Sequence, residues 1–482
     1  MNGYQYETQP YDHQRKALQD SWAADYYALL MEMGTGKSKV AIDTMGALYD
    51  AGKIKAALIV APKGVYDNWV KGEVPIHLPK RIPRRVLRWT PAKTKKFQEE
   101  LTDFIVERDD ALKIFVMNIE AFSSARGTDA ATAFLYRNPD NIVIVDESTT
   151  IKNRKAARTK NILSLQRYAK YRRILTGSPI TQSPMDLFSQ CNFLAEKALG
   201  FNSYYAFQGR YANVQRRTMG HRSFQQIVGY RRLDELSEKL DRFSCRVLKS
   251  DCLDLPVKVY IRRDVPLTTE QMSLYVQMKK LALAHLDNGE LATTTSVLTQ
   301  IMRLQQICCG HLRPDDGEVQ RIKNNRLSEL MDVTEELQGK AIIWATYTHD
   351  LQEIAASLQN RFGQDSVALY YGATPQDERQ EIVDRFQNPS DPLRFFVGQP
   401  KTGGYGITLT AANTVIYFSN SYDLEIRLQS EDRAHRIGQT NKVTYIDLVS
   451  PGTIDEKVLD ALRNKINIAS VVLKEEVRSW LR

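Results

Sequence analysis

Two series of short, β-rich apolar runs, each interleaved with stretches of helical periodicity, constrain this chain more than any other feature. The first series is Ala56-Ala-Leu-Ile-Val-Ala61, Leu112-Lys-Ile-Phe-Val-Met117, Ile142-Val-Ile-Val145 and Arg173-Ile-Leu175, with helical patterns such as Lys37–Tyr49 and Arg158–Tyr168 between them. Strands that alternate with helices imply βαβ units and a parallel sheet buried on both faces. The same grammar resumes at Lys340-Ala-Ile-Ile-Trp-Ala345, Ser366-Val-Ala-Leu-Tyr370, Arg394-Phe-Phe-Val397, Thr414-Val-Ile-Tyr-Phe418 and Val443-Thr-Tyr-Ile-Asp-Leu448. The expected fold class is therefore α/β with two parallel-sheet lobes, and 482 residues are enough for two cores. Residues 190–330 carry mainly helical patterns, including Thr269–Leu286 and Ala292–Ile307, with a strand expected at Val257–Val265. Lobe 1 is expected at 1–255, with a helical insertion at about 190–255. Lobe 2 follows at 256–482, with an insertion at about 265–325 and C-terminal helices at about 454–482.

Composition enters where it excludes or favours a class. No run of about 18 apolar residues appears, and no basic start is coupled to an apolar stretch and cleavage site. The expectation is a protein without a membrane partner, cytoplasmic and associated with the nucleoid. Five cysteines are too few and too irregularly spaced for a disulfide framework. Cys308-Cys309-Gly310-His311 invites a zinc reading, but no second ligand pair stands at finger spacing, which favours a buried helix end. The net charge of +9 and pI near 9.1 suit a polyanionic partner. Two basic clusters stand out: Lys80-Arg81-Ile-Pro-Arg84-Arg85 with Arg88, and Arg210, Arg216, Arg217, Arg222, Arg231 and Arg232 among Tyr204, Tyr205, Phe207, Tyr211 and Tyr230. Each is either a phosphate-contacting surface or a solvated face.

The chemistry-bearing motifs are more specific. Gly34-Thr35-Gly36-Lys37-Ser38 precedes the helical pattern Val40-Ala-Ile-Asp-Thr-Met45. A glycine turn at a helix start aims backbone N–H groups at phosphate oxygens, Lys37 then meets the β/γ-phosphates, and Ser38 holds Mg²⁺. The strict phosphate-loop pattern wants a small residue where Met31 stands, and a Gly-Lys-Ser at a helix start also serves as a simple turn and cap. Ile142-Val-Ile-Val-Asp146-Glu147 ends an apolar strand in two carboxylates, which suits Asp146 to a metal and Glu147 to an attacking water. The plain alternative is a helix N-cap. Upstream, Gln14 in Pro10-Tyr11-Asp12-His13-Gln14 carries an amide that can pair with both the donor and the acceptor of an adenine edge.

With these blocks in order, the sequence resembles the SWI/SNF-type family of superfamily-two helicase-like ATPases over nearly its whole length. Met31-Glu-Met-Gly-Thr-Gly-Lys-Ser38 is similar to the family's Glu-Met-Gly-x-Gly-Lys loop, and Leu58-Ile-Val-Ala-Pro62 with Trp69 to the segment that leads to nucleic-acid contacts. Asp146-Glu-Ser-Thr-Thr-Ile-Lys-Asn153 resembles the family's Asp-Glu-x-His-x-Ile-Lys-Asn box, and Leu175-Thr-Gly-Ser-Pro179 the motif that couples hydrolysis to movement. Thr402-Gly-Gly-Tyr-Gly-Ile-Thr-Leu409, which contains Gly404, resembles Ala-Gly-Gly-x-Gly-Ile-Asn-Leu. Gln429-Ser-Glu-Asp-Arg433-Ala-His-Arg436-Ile-Gly-Gln439 closely matches the family's final motif. Leu255-Pro-Val-Lys258 through Leu267-Thr-Thr-Glu-Gln271, and Gln305-Gln-Ile-Cys-Cys309, resemble segments that set this family apart from other helicases. Ser148-Thr149 departs from the usual residue and histidine, and Ser421-Tyr422-Asp423 stands where Trp-Asn-Pro is common.

The resemblance implies two RecA-like lobes with helical insertions, ATP and Mg²⁺ as cofactors, and duplex DNA gripped by its phosphate backbone, with forked or branched DNA as further substrates. It implies that Lys37, Asp146, Glu147 and the arginine fingers Arg433 and Arg436 are catalytic. Gln14, Gly34, Thr35, Gly36, Lys37, Ser38, Gly404 and Gln429 would bind nucleotide, and Ser38 and Asp146 the metal. The expected function is an ATP-dependent double-stranded-DNA translocase driven by lobe closure. Two alternatives stay open: a strand-separating or branch-migrating DNA or RNA helicase, and an ATP-gated DNA clamp without turnover. By analogy, so compact a motor suits a bacteriophage or bacterial source.

Overall fold

In this computed structural model, residues 3–63, 65–91, 94–107, 109–219, 222–252, 255–287, 294–313, 318–403 and 406–473 are described. The chain divides into two compact units, whose main spans are Met1–Asn213 with Gly229–Asp254 and Leu255–Asn467. Each holds one parallel sheet.

Unit 1 takes its strands in chain order as β1 (Tyr26–Met31), β2 (Ala56–Ala61), β3 (Arg84–Arg88), β4 (Leu112–Asn118), β5 (Asn141–Asp146) and β6 (Tyr171–Leu175). β7 (Ala212–Met219) and β8 (Arg222–Tyr230) form a separate two-stranded sheet, the greater part of which, Val214–Val228, belongs to unit 2; β9 (Ser244–Val247) returns to unit 1, whose main sheet runs β3-β4-β2-β5-β6-β1-β9. All of its pairs are parallel. Every residue of β2 and β5 is buried, as expected of central strands covered by helices on both faces. Registers Leu29↔Leu175, Val60↔Val145 and Asp146↔Leu175 bring the carboxyl ends of β1, β2, β5 and β6 to one edge of the sheet. At that edge of an open α/β sheet the connecting loops bind ligands.

Unit 2 begins with β10 (Lys258–Asp264), adds a short antiparallel ladder of β11 (His311–Leu312) and β12 (Gln320–Arg321), and continues with β13 (Lys340–Trp344), β14 (Val367–Tyr370), β15 (Phe395–Gly398), β16 (Ala412–Tyr417) and β17 (Val443–Val449). Its six-stranded sheet runs β10-β17-β16-β13-β15-β14, again all parallel. Apolar clusters lie on its two faces, one around Ile343, Leu351 and Ile416, the other around Trp344, Phe396 and Tyr417. The helices Thr269–Asp287 and Thr294–Cys309 meet through Tyr275, Leu304 and Ile307, and Gln271 Nε2 donates to the Ile307 carbonyl at 2.7 Å.

The two-sheet α/β reading of the sequence holds, and the structure corrects it in detail. Residues 190–255 are not purely helical: β7 and β8 lie among the helices there, and β9 joins the main sheet at its edge. These strands are rich in Arg, Gln, Thr and Ser, so they lack the apolar alternation that marks a strand in sequence. β3 lies inside the first basic cluster, where Val86 and Leu87 alone are apolar. Among the described residues no helix is long and apolar enough to cross a membrane.

Buried charge, as well as apolar packing, holds unit 2 together. Arg326, 1 % exposed, donates to the Phe418 carbonyl at 2.9 Å, to Ser450 Oγ at 2.9 Å and to Asp455. It thereby ties the helix Arg326–Glu336 to the end of β16 and to the helix that starts at Ile454. Removing one partner of such a pair leaves the other charge buried alone. Arg326→Met is expected to lower the unfolding free energy of this unit by about 3–5 kcal/mol, measured by urea titration. A loss below about 1 kcal/mol, the size of a surface pair, would contradict the role assigned to the buried pair.

Candidate nucleotide site

The phosphate-loop candidate follows β1 and opens the helix Lys37–Asp50. Met31 closes β1, fully buried in the apolar cluster, so it sits in the strand before the turn and no small residue is needed there. The turn itself uses Gly34 and Gly36 at φ +80° and +84°, the left-handed region that glycine enters without steric cost. Thr35 hydroxyl donates back to the Glu32 carbonyl at 2.7 Å and closes the loop. Here α1 denotes Asp12–Ser21 and α2 Lys37–Asp50. Lys37 and Ser38 are the first two residues of α2, where unpaired N–H groups and the helix dipole favour an anion.

Gln14 on α1 is buried against this loop. Its Nε2 donates to the Thr35 carbonyl at 3.0 Å, and its Oε1 accepts from the Tyr11 backbone N–H at 3.1 Å. His13 Nε2 lies 2.8 Å from the same carbonyl. These bonds use one N–H and one lone pair of the Gln14 amide, which by its chemistry has one more of each. A Cβ on Gly36 would lie 2.1 Å from Gln14 Nε2. Gly36 is therefore required twice, by its φ and by this close approach.

At the same sheet edge β5 ends in Asp146, and Glu147 follows in a left-handed conformation at φ +47° and ψ +60°. A non-glycine residue held there stores strain, a feature concentrated at functional sites. The turn brings Glu147 Oε1 to 3.6 Å from Lys37 Nζ, with Lys37 and Glu147 each 8 % exposed. Asp146 is buried beside them, and its Oδ1 accepts from the Glu147 backbone N–H at 3.0 Å. Its Oδ2 accepts from the Trp69 indole N–H at 2.9 Å. Burial pushes the Asp146 carboxyl up, against the Lys37 charge and these two hydrogen bonds.

The segment Leu175-Thr-Gly-Ser-Pro179 lies against the Gly34–Ser38 loop. Thr176 N–H donates to the Leu29 carbonyl at 3.2 Å, and Gly177 lies so close that a Cβ there would stand 3.1 Å from the Met33 nitrogen. Arg246, just within β9, donates to the carbonyls of Leu30 and Gly177, both at 2.9 Å. Ser148, which departs from the family pattern, donates to Gln190 Oε1 at 2.7 Å and is wholly buried. Neither Arg246 nor Gln190 could be assigned from spacing, because each meets its partner only through the fold.

In unit 2 the helix Leu424–Glu431 carries Gln429 and leads into the two arginines. Arg433, 6 % exposed, donates from Nε to the Gln429 carbonyl at 2.9 Å and from Nη1 to the Ile407 carbonyl at 3.0 Å. Arg436 reaches the same Ile407 carbonyl at 3.4 Å and is partly exposed. Leu409 N–H donates to the Arg433 carbonyl at 2.9 Å, so the glycine-rich segment and the arginine segment form one bonded assembly. Gly404, expected to bind nucleotide, lies outside the described residues. Gln429 is buried and bonds Glu425 Oε1 at 3.3 Å.

This helix is bolted to the sheet by buried charge. Arg427 contacts Asp447 with both Nη groups at 2.6 and 3.0 Å, Glu431 at 2.9 Å and the Asn420 amide oxygen at 2.7 Å. Its guanidinium lies 3.6 Å from the Tyr417 ring centroid. Burial alone would raise the Glu431 carboxyl, but Lys258 and Arg427 outweigh it and hold the group below its usual range.

The first basic cluster meets carboxylates at the surface. Arg81 forms a bidentate pair with Asp50, Arg85 contacts Glu107 and Asp109, Arg88 contacts Asp67, and Lys80 faces Glu7. In the second, Arg210 pairs with Glu235 and Arg231 donates to the Gly209 and Arg210 carbonyls, while Phe207 and Tyr211 belong to the core. Arg216 and Arg217 are exposed on β7, and the Arg222 side chain lies outside what is described. Cys308 and Cys309 end a helix in apolar surroundings, and burial raises both thiols, Cys308 to about 12. His311 pairs instead with Asp350 at 2.9 Å.

Asp146 at the end of β5 and Ser38 at the start of α2 carry oxygen donors of the hard kind that Mg²⁺ takes. Among the described residues no group of three or more His, Cys, Asp or Glu side chains could hold a metal.

Residues 23–312 match the family description "SNF2-related domain", and residues 322–438 match "Helicase conserved C-terminal domain". The Putative ATP-dependent helicase/translocase YwqA of Bacillus subtilis is 27% identical over 462 residues, covering 93% of this chain and 46% of that protein. The DNA annealing helicase and endonuclease ZRANB3 of Mus musculus is 26% identical over 453 residues, covering 92% of this chain and 38% of that protein. This chain thus spans less than half the length of these relatives. Among solved structures, the Sulfolobus solfataricus SWI2/SNF2 ATPase core in complex with dsDNA matches at 23% identity and a TM-score of 0.44, covering 98% of this chain and 96% of that one.

The doubly constrained Gly36 yields a direct test. Gly36→Ala combines a φ cost of about 1–2 kcal/mol with a contact that displaces Gln14. It is expected to weaken ADP binding at least about tenfold, measured by titration calorimetry. Unchanged affinity would show that the loop does not hold phosphate in this conformation.

Proposed function

This chain belongs to the SNF2-related family, and on that premise we propose that it is a DNA-dependent ATP hydrolase that moves along duplex DNA without separating its strands. The observation that carries the reading is Lys37 meeting Glu147 at 3.6 Å beside buried Asp146. A lysine at a helix start and two carboxylates at a strand end, brought together at one sheet edge, suit phosphoryl transfer from a nucleoside triphosphate.

The residues then take these roles. Gly34, Thr35, Gly36 and Lys37 hold the phosphates of ATP, and Gln14 uses its second N–H and lone pair for the adenine edge. Gly404 and Gln429 add further nucleotide contacts. Ser38 and Asp146 would hold Mg²⁺, which would supply positive charge against the phosphates. Glu147, released from Lys37 when the lysine turns to phosphate, orients the attacking water. Arg433 and Arg436 donate to the transferring phosphoryl, where planar guanidinium groups stabilise developing charge.

Duplex DNA as the partner is supported by the net charge of +9 and by relatives named for DNA helicase activity. Backbone-directed contacts imply weak sequence preference and steep salt dependence. Lys37→Ala and Glu147→Gln are each expected to abolish DNA-stimulated hydrolysis. Turnover is measured against duplex, single-stranded and forked DNA and RNA. Triplex displacement without duplex unwinding identifies a translocase; duplex unwinding, or full turnover in either variant, overturns the proposal.

A further inference from the structure

Trp69 has no role in the chemistry above, yet its side chain touches the site's most constrained group. Its indole N–H donates to Asp146 Oδ2 at 2.9 Å, across 77 residues of sequence, and the ring is 1 % exposed. A buried tryptophan commonly finds some acceptor, and a backbone carbonyl serves that purpose. Here the acceptor is instead the carboxylate that ends the central strand β5. Hydrogen bonds to an ionised acceptor are about twice as strong as neutral ones, and they fix its orientation.

The backbone is shaped to deliver this contact. Tyr66–Asn68 and Val74–His77 are α-helical, but Trp69–Glu73 between them is a π-turn, in which the Val74 N–H reaches the Trp69 carbonyl. Pro75 follows at once and has no N–H with which to continue a regular ladder. Such π-turns concentrate at functional sites. Trp69 is anchored in the apolar cluster with Met31, Val74 and Leu78, so the donor cannot shift without disturbing the core.

With Oδ2 bonded to Trp69 and Oδ1 to the Glu147 backbone, each oxygen keeps further lone-pair capacity, and its direction is set. We propose that Trp69 is a positioning residue for the Mg²⁺ site, its indole N–H holding the Asp146 carboxylate in the rotamer that presents those lone pairs to the cation. The proposal rests on the assignment of Asp146 as a metal ligand. Hydrogen-bond partners of metal ligands typically contribute about 10- to 100-fold in metal affinity.

The test measures ADP affinity of the full chain by calorimetry as Mg²⁺ is titrated, and again in EDTA. Trp69→Phe removes the N–H, and replacement of Trp69 by β-(3-benzothienyl)alanine removes it while keeping ring size, should the first variant not fold. Both are expected to raise the half-saturating Mg²⁺ concentration about 10- to 100-fold and to leave ADP affinity in EDTA unchanged. An unshifted Mg²⁺ requirement overturns the proposal, as does an equal loss of affinity in EDTA, which would mark a purely structural role. Asp146→Asn separates the premise from the inference. If that variant keeps the wild-type Mg²⁺ dependence, the ligand assignment itself fails; if it loses the dependence while the Trp69 variants keep it, only the positioning role fails.

Discussion

The burial of Asp146 is the constraint on which the rest of unit 1 depends. Taking a carboxylate out of water costs several kcal/mol even after relaxation, unless charge and hydrogen bonds compensate. Here Lys37, the Trp69 indole and the Glu147 backbone N–H oppose that cost. Each compensating group makes its own demand on the chain. Lys37 must begin a helix whose preceding turn needs two left-handed glycines. Trp69 must emerge from a π-turn. Glu147 must adopt a left-handed backbone that costs a residue with a side chain about 1–2 kcal/mol. A fully apolar strand end would have been easier to fold. The polar end suits a site whose missing charges arrive with the ligand.

Unit 2 solves a different problem with similar means. The helix Leu424–Glu431 carries Gln429 and leads into Arg433, so its placement on the sheet decides where those groups lie. Apolar ridges alone would tolerate small slides, whereas Arg427 bonded to Asp447 and Glu431 allows one position. Replacing such a triad by apolar residues is often neutral for stability, so a gain in register is the stronger account of it here. The Arg433 carbonyl then receives Leu409 N–H, which places the glycine-rich segment by the same device.

The legible part of the molecule was the part governed by local rules. Strands buried on both faces announce themselves as apolar runs, and β2, β4, β5 and β13 to β17 lie where such runs occur. Gly34–Ser38 and Asp146-Glu147 were visible because each is a short run of fixed residue types, the form a phosphate-site motif takes in sequence. β3 and β7 to β9 were hidden, because polar strands at edges and in small sheets carry no alternation, and β1, though apolar, was not named among the runs. The Trp69–Asp146 and Arg246–Gly177 bonds were hidden for another reason. They join residues 77 and 69 positions apart, and only the strand order brings those positions together. Met31 shows the converse: judged by the strict loop pattern it looked misplaced, yet it is simply the last core residue of β1.

The basic clusters show where composition misleads and where it does not. Lys80, Arg81, Arg85 and Arg88 read as either a phosphate-contacting surface or a solvated face, and each faces a carboxylate. Dense basic sequence is thus weak grounds for locating a polyanion. The net charge survives this correction, because an internal pair removes one charge of each sign and leaves the surplus of +9 untouched. That surplus must reside on basic residues beyond these pairs. Arg217 is exposed on a short two-stranded sheet, and the Arg154 guanidinium lies 4.2 Å from the Tyr204 ring centroid.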